Sequence, residues 1–250
     1  KWVVGLLTPT SLYFHGIIDM VLRNEPSTRR IAIVRSTAGA FPKEVARGAE
    51  LYCNQIGVET VLNYTYQVST EDFSEVLSLL KVDRPDLVLE VGRIEDDIRF
   101  AQQFVRSEIK TSTVGIIATP LTIFADTLGN AADMFFGPSQ WEPNSVLSPD
   151  YGPSSKNVMK RLSRLQPSGV DYPMAQAYAG CLVAQRCIEA SPALNDEEVR
   201  RAAEQLDFST FYGRFRIDRN TGRQVGHVMP VVRWNQGEKI VVWPPEMAST

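Results

Sequence analysis

The sequence predicts an α/β fold built around a doubly wound parallel sheet, and three observations carry that expectation. Between residues 30 and 141 the apolar period switches regularly between two and 3.6. The 3.6-period segments are long enough to serve as right-handed crossovers between parallel strands. Their boundaries hold the residues that open and close helices: carboxylates in first turns, and a glycine after a last one.

In chain order, "RIAIV" (30–34) reads as a buried strand, and "PKEVARGAELYCNQIG" (42–57) as an amphipathic helix closed by Gly57. "VETVLNYTY" (58–66) is a strand and "STEDFSEVLSLLKVD" (69–83) a helix, with Ser69 or Thr70 as its cap and Glu71 and Asp72 in its first turn. "DLVLEVG" (86–92) is a strand, "EDDIRFAQQFVRSE" (95–108) a helix and "TSTVGIIA" (111–118) a strand. A short helix near 121–128 and a last strand, "DMFFGPSQW" (133–141), complete the lobe. Ahead of it, "KWVVGLL" reads as a strand from the inside of a sheet, followed by a helix around "YFHGIID".

Beyond residue 141 the pattern changes. "EPNSVLSPDYGPSSK" (142–156) is a Pro- and Ser-rich linker or crossing loop. Helices follow at 154–165, 172–190 and 195–206, and then strands within 212–245 joined by the turns "RNTG" and "NQG". The helix at 172–190 is apolar around most of its circumference and calls for neighbours on several sides.

Composition narrows the function classes. Hydrophobic residues are 44% of the chain, charged residues 22%, and the net charge is −3, with no basic stripe of the kind that binds nucleic acid. No apolar run approaches the roughly 20 residues of a membrane helix, and no signal peptide is visible. Cys53, Cys181 and Cys187 all fall in helical apolar patterns and read as inert core thiols. The two histidines, His15 and His227, have no Cys or acidic neighbours at metal-ligand spacing, so no metal and no cofactor are expected. His15 reads as a packing or capping residue, and His227 as half exposed in a strand.

The chemical inventory is nearly empty. There is no G-x-S-x-G elbow, no Cys/His pair and no glycine-rich phosphate loop. Asp96 and Asp97 open a helix, where the macrodipole accounts for them. Glu90, near the end of a buried strand, is paired to a residue such as Arg93, sits at an edge position, or faces a ligand. What remains is topological, because ligands of open α/β sheets sit at the carboxyl ends of the strands. That nominates the loops 35–41, 67–71, 92–95 and 118–121, with Ser36, Thr37, Phe41, Gly92, Arg93 and Thr119 as their functional side chains. This mixture suits a small polar or zwitterionic ligand.

"RRIAIVRSTAGAFPKEVARGAE", "TEDFSEVLSLLKVDRPDLVLEVG", "LGNAADMFFGPSQWEP" and "TFYGRFRIDRNTGRQVGH", in this order, resemble the type I periplasmic binding proteins. The leucine/isoleucine/valine-binding group of branched-chain amino-acid ABC importers is the branch they most resemble. The resemblance implies two α/β lobes joined by three crossing segments, closing on a ligand in a Venus-flytrap manner. It implies an entry strand and crossing helix at 1–29, a complete C-terminal lobe at 30–141, a return into an incomplete N-terminal lobe at 142–237, and a final strand and tail at 238–250. On this reading "KWVVGLL" is an internal strand and the leading part of the N-terminal lobe is absent.

By the same resemblance, Phe41 takes the place of an aromatic after the first strand of the lobe. Arg93 takes a ligand-facing position, Thr119 and Pro120 form the next loop, and Pro138, Ser139, Gln140 and Trp141 form a hinge. Arg93 stands where the leucine-type binder has an aromatic, and "SLYFHG" lacks a common acidic residue. A cation there favours a ligand with an extra carboxylate, a dicarboxylate or an aromatic acid.

The function implied is the extracytoplasmic solute-binding component of an ABC importer, with a small amino acid or organic acid and a permease as partners. The alternative is the ligand-sensing domain of a regulator or receptor; an enzyme is not expected. If the leading lobe is absent, a homo-oligomer or an accompanying fragment is expected to cover the helix at 172–190.

Overall fold

Residues 3–143, 148–167 and 169–248 are described by the structure, which is a computed structural model. The middle of the linker expected at 142–156, the first two residues of "KWVVGLL" and the last two of the tail lie outside the described residues.

After a 3-10 turn at Thr10–Leu12, the chain forms α1 (His15–Asn24), whose Ile17, Ile18, Met20 and Val21 are buried. The run "RIAIV" becomes β1 (Arg30–Ser36), with Ile31 to Val34 at 0% exposure, as a strand covered on both faces requires. Then α2 (Ala40–Ile56) ends at Gly57, whose φ of 74° lets Val58 N–H reach back to the Cys53 carbonyl. β2 (Glu59–Tyr66), α3 (Ser74–Asp83), β3 (Leu87–Val91), α4 (Ile94–Arg106), β4 (Thr113–Ile116), α5 (Thr122–Leu128) and β5 (Phe135–Pro138) follow.

The sheet order is β2-β1-β3-β4-β5, all parallel, so strand order reverses between β1 and β3. α3, α4 and α5 cover one face with a chain of aromatics: Phe73, Phe100, Phe104, Phe135 and Phe124 meet edge to face or tilted at 5.5–6.3 Å. α1 and α2 take the other face, where Ile17 packs against Gly115 of β4. α2 lies so near the 3-10 turn that a Cβ on Gly48 would overlap the Ser11 backbone.

The remaining elements are α6 (Ser155–Leu165), α7 (Tyr172–Ala190), α8 (Asp196–Gln205), a short antiparallel pair β6 (Phe208–Thr210) and β7 (Gly213–Phe215), and a hairpin β8 (Val231–Asn235) and β9 (Glu238–Trp243). Gln236 and Gly237, at φ 53° and 83°, form the expected "NQG" turn. The chain divides into two compact units: residues up to Pro9 with Ser139–Pro230, and Thr10–Pro138 with the segment from Val231 onward. Each of the three passages between units follows a proline: Pro9, Pro138 and Pro230.

Several expectations change. α1 belongs with the parallel lobe, and β8 extends that sheet antiparallel to β5, although 142–237 was assigned to the other lobe. "RNTG" lies in a loop in which Asp218 caps Thr221, and an isolated bridge, Ile217 to Gln224, replaces longer strands. Residues 3–7 form no strand: Val3 is 75% exposed, and Gly5 makes one backbone bond, to Gly222. α3 starts at Ser74, not 69, because Ser69 has φ 63° and the Asp72 carboxylate takes the Ser74 N–H at 2.9 Å. On α7, Leu182 and Ala179 enter one apolar cluster and Val183 and Cys187 another, while Cys181 is exposed. Cys181 and Cys187 are six residues apart on a 3.6-residue helix and so point different ways, which is why only one of them is a core thiol.

Candidate functional site

The reversal of strand order leaves a crevice at the carboxyl ends of β1 and β3, because the chain leaves β1 toward α2 on one face and β3 toward α4 on the other. Its rim is the loops that follow β1, β2, β3 and β4.

Buried carboxyls hold this rim together. Asp96 and Asp97, in the first turn of α4, are each 1% exposed, and Glu90 of β3 is fully buried. Asp96 accepts the Ser69 N–H at 3.0 Å, tying down the loop after β2, and pairs with Arg99 at 3.4 Å. Asp97 accepts the Ala118 N–H at 2.9 Å, fixing the loop after β4, and also faces the Gly92 N–H after β3. The Tyr66 hydroxyl, at the end of β2, donates to Glu90 at 2.6 Å. Gly92 is required here: a Cβ would run into the Tyr66 hydroxyl and the Asp97 carboxylate.

The Glu90 and Asp97 carboxyls meet in hydrogen-bond contact, yet Glu90 Oε2 and Asp97 Oδ1 receive no N–H or protein O–H donor among the described residues. Two carboxylates bond to each other only through a proton, so the pair shares one. Burial and mutual repulsion push Glu90 well above the usual carboxylate range, and burial raises Asp97 too. Burial and the Glu90 charge likewise hold the Tyr66 phenol neutral. Glu90 is partnered, as one reading of the sequence has it, but by Tyr66 and Asp97 and not by Arg93. Asp96 and Asp97 do more than complement the helix dipole. The only sequence signal was a pair of acids directly after a strand-to-helix loop.

The nominated side chains separate by exposure. Thr37 is exposed; its hydroxyl accepts the Val68 N–H at 3.0 Å and donates to Gln67. Phe41, 36% exposed on the first turn of α2, meets Tyr13 edge-on at 5.4 Å. Arg93 is exposed at the start of α4, and Gly92 is half-buried. Ser36 is buried and accepts the Ala38 N–H, shaping the loop instead of offering its hydroxyl. Thr119 and Pro120 are buried, and their carbonyls accept Trp234 Nε1 at 2.7 Å and Lys239 Nζ at 2.9 Å. One rim residue was missed. Arg35, half-buried at the end of β1, reads as loop in the sequence because the apolar run stops at Val34.

Pro138 ends β5, and Ser139, Gln140 and Trp141 open the return into the smaller unit, all buried there. Gln140 exchanges two hydrogen bonds with the Thr8 backbone, at 3.1 and 3.3 Å, and Ser139 N–H donates to the Pro230 carbonyl at 2.8 Å. His227, in a loop and not a strand, stacks on Tyr212 and meets the Thr8 hydroxyl at 2.7 Å; burial lowers its pKa to about 4. His15 stacks on Tyr52 at 4.0 Å, a packing role. A groove of about 710 Å³ in the smaller unit runs between α7 and α8, walled by Leu6, Val183, Ala184, Cys187, Val199 and Ala203. Its lining is mostly apolar, with Asn195, Asp196 and Arg200 as its polar members.

The sequence matches the family model described as "Periplasmic binding protein" over residues 10–239. It is 22% identical over 231 residues to Leu/Ile/Val-binding protein homolog 7 of Brucella abortus (strain 2308), covering 88% of this chain and 56% of that protein. The chain thus spans about half the length of the curated relatives it matches. Among solved structures, a Silicibacter pomeroyi protein assigned to branched-chain amino acid ABC transport superimposes with a TM-score of 0.83 at 16% identity, over 100% of this chain and 68% of that one. The closed conformation of a leucine-, isoleucine-, valine-, threonine- and alanine-binding protein from Brucella ovis gives 0.77 at 13%, over 91% and 57%. At these identities the superpositions establish the fold alone.

Proposed function

This chain belongs to the periplasmic binding protein family, and from that premise we propose that it binds a small amino acid or organic acid for an extracytoplasmic ABC importer. The observation that carries this reading is the switch-point rim, in which buried Asp96, Asp97 and Glu90 fix three loops and leave Thr37, Phe41 and Arg93 exposed. Such a rim is built before any ligand arrives, and a preformed site loses little entropy on binding. The role proposed is capture and delivery of the solute.

Capture is followed by hinge closure, driven by the ligand's greater affinity for the closed state. The three proline-marked passages supply the hinge, and Pro138, Ser139, Gln140 and Trp141 form one of them. A permease is the receiving partner. Among the described residues no helix is long and apolar enough to cross a membrane.

Thermal unfolding with single amino acids and small organic acids tests the proposal. A ligand at 100 times its Kd stabilises by about 2.7 kcal/mol. At least one solute is expected to raise the midpoint, with the rise lost on Phe41→Ala or Arg93→Ala. No shift with any member of the set, or a shift indifferent to both substitutions, overturns it.

A further inference from the structure

Arg35 lies at the end of β1 and Arg93 just after β3, the two strands at which the order reverses. β1 and β3 are in parallel register, with Arg35 opposite Val91, so Arg93 lies two residues beyond Arg35's level on the adjacent strand path. Arg35 is half-buried and Arg93 exposed, and among the described residues neither makes an ion pair or a side-chain hydrogen bond. Arg30 pairs with Glu59, Arg99 with Asp96, and Arg29 with the carbonyls of Pro26 and Thr28; Arg47, Arg84 and Arg106 of this unit are unengaged like Arg35 and Arg93 among the described residues, but do not lie at the carboxyl ends of the strands that flank the crevice.

The carboxyl cluster does not neutralise Arg35. Glu90 is in register with Val34, and Tyr66 with Ser36, which puts that cluster on the α3–α4–α5 face. Arg35, one residue out of phase, points to the face of α1 and α2. A guanidinium held half out of water gains most from a carboxylate it can engage in two parallel hydrogen bonds. Two such groups at one crevice select a ligand with two anionic ends. Phe41, on the first turn of the helix that follows β1, offers the short apolar connector between those ends a surface.

We propose that this rim recognises a small dicarboxylate, with Arg35 and Arg93 each engaging one carboxylate. The inference rests on the solute-binding reading and narrows its ligand class, with Arg35 as a specificity-determining residue.

Isothermal calorimetry on the full chain tests it with succinate and glutarate, their one-carboxylate counterparts butyrate and valerate, benzoate as an aromatic acid, and leucine as a neutral zwitterion. A dicarboxylate is expected to bind tightest. Arg35→Gln and Arg93→Gln are each expected to weaken it by about 10- to 100-fold, the worth of a charge-assisted hydrogen bond, while leaving butyrate less affected than succinate. Circular dichroism and the urea midpoint of each variant confirm that the fold is kept. Tighter binding of leucine or benzoate than of either dicarboxylate, or dicarboxylate binding unchanged in Arg35→Gln, overturns the dicarboxylate assignment and leaves solute binding standing. Binding of none of the six compounds overturns this assignment, and the separate thermal screen then decides whether solute binding falls with it.

Discussion

Replacing Glu90 by Gln reports directly on the proton shared under the rim. In the native chain the Glu90–Asp97 pair keeps one proton that the unfolded chain, with both carboxyls at ordinary pKa, has released. The native state then binds more protons than the unfolded one, so stability is full below the usual carboxylate range and falls as pH rises through and above that range, until the pair gives its proton up. One retained proton makes the slope about 1.4 kcal/mol per pH unit, or about 3 kcal/mol between pH 5 and 7. Both side chains are at most 1% exposed, so solvent screening does not erode this.

In Glu90→Gln the amide keeps the acceptor for the Tyr66 hydroxyl and turns an N–H toward Asp97 Oδ1, so no proton is needed. Urea unfolding followed by circular dichroism, at half-unit steps from pH 5 to 7.5, gives the stability difference between the two proteins. Titration of His15 and His227 is common to both and cancels. The difference is expected to move in the variant's favour by about 3 kcal/mol between pH 5 and 7. A difference that stays constant with pH refutes the shared proton.

Three further outcomes follow from the same geometry. Gly92→Ala, which sets a methyl against the Tyr66 hydroxyl, is expected to cost about 1–3 kcal/mol by urea unfolding and to lower affinity for any rim ligand. Gln140→Ala removes both bonds to the Thr8 backbone in a buried setting and is expected to cost about 1–3 kcal/mol, with slowed amide exchange at Thr8 lost. His227 has its pKa lowered, so its contribution is present above about pH 6.5 and is lost as pH falls toward about 4; His227→Gln is expected to flatten that acid limb of the stability profile.

The βα alternation was legible because each period is local: Ile31 to Val34 announce a covered strand, and Gly57 announces a helix end, without reference to anything distant. Placement of the carboxyls was not. Whether Asp96 and Asp97 face water or the loops depends on how α4 docks beside Tyr66 and Ala118, a fact of tertiary register. Arg35 escaped notice for a related reason, since a charge at the end of an apolar run looks like the start of a loop. Residues 3–7 carry a strand's pattern and form none, because pattern cannot supply a neighbouring edge. "VVRWN" was legible as a strand, but its sheet is chosen by pairing with Phe136 and Gly137, nearly a hundred positions earlier.

That late hairpin has a consequence for the order in which the molecule is made. Trp234 and Lys239 hold the carbonyls of Thr119 and Pro120, so one rim loop is sewn down by residues made more than a hundred positions after it. Until then β5 is an open edge and the loop after β4 lacks these two ties. A nascent chain stalled before Val231 should therefore be unable to hold a ligand, however well its first four strands have paired.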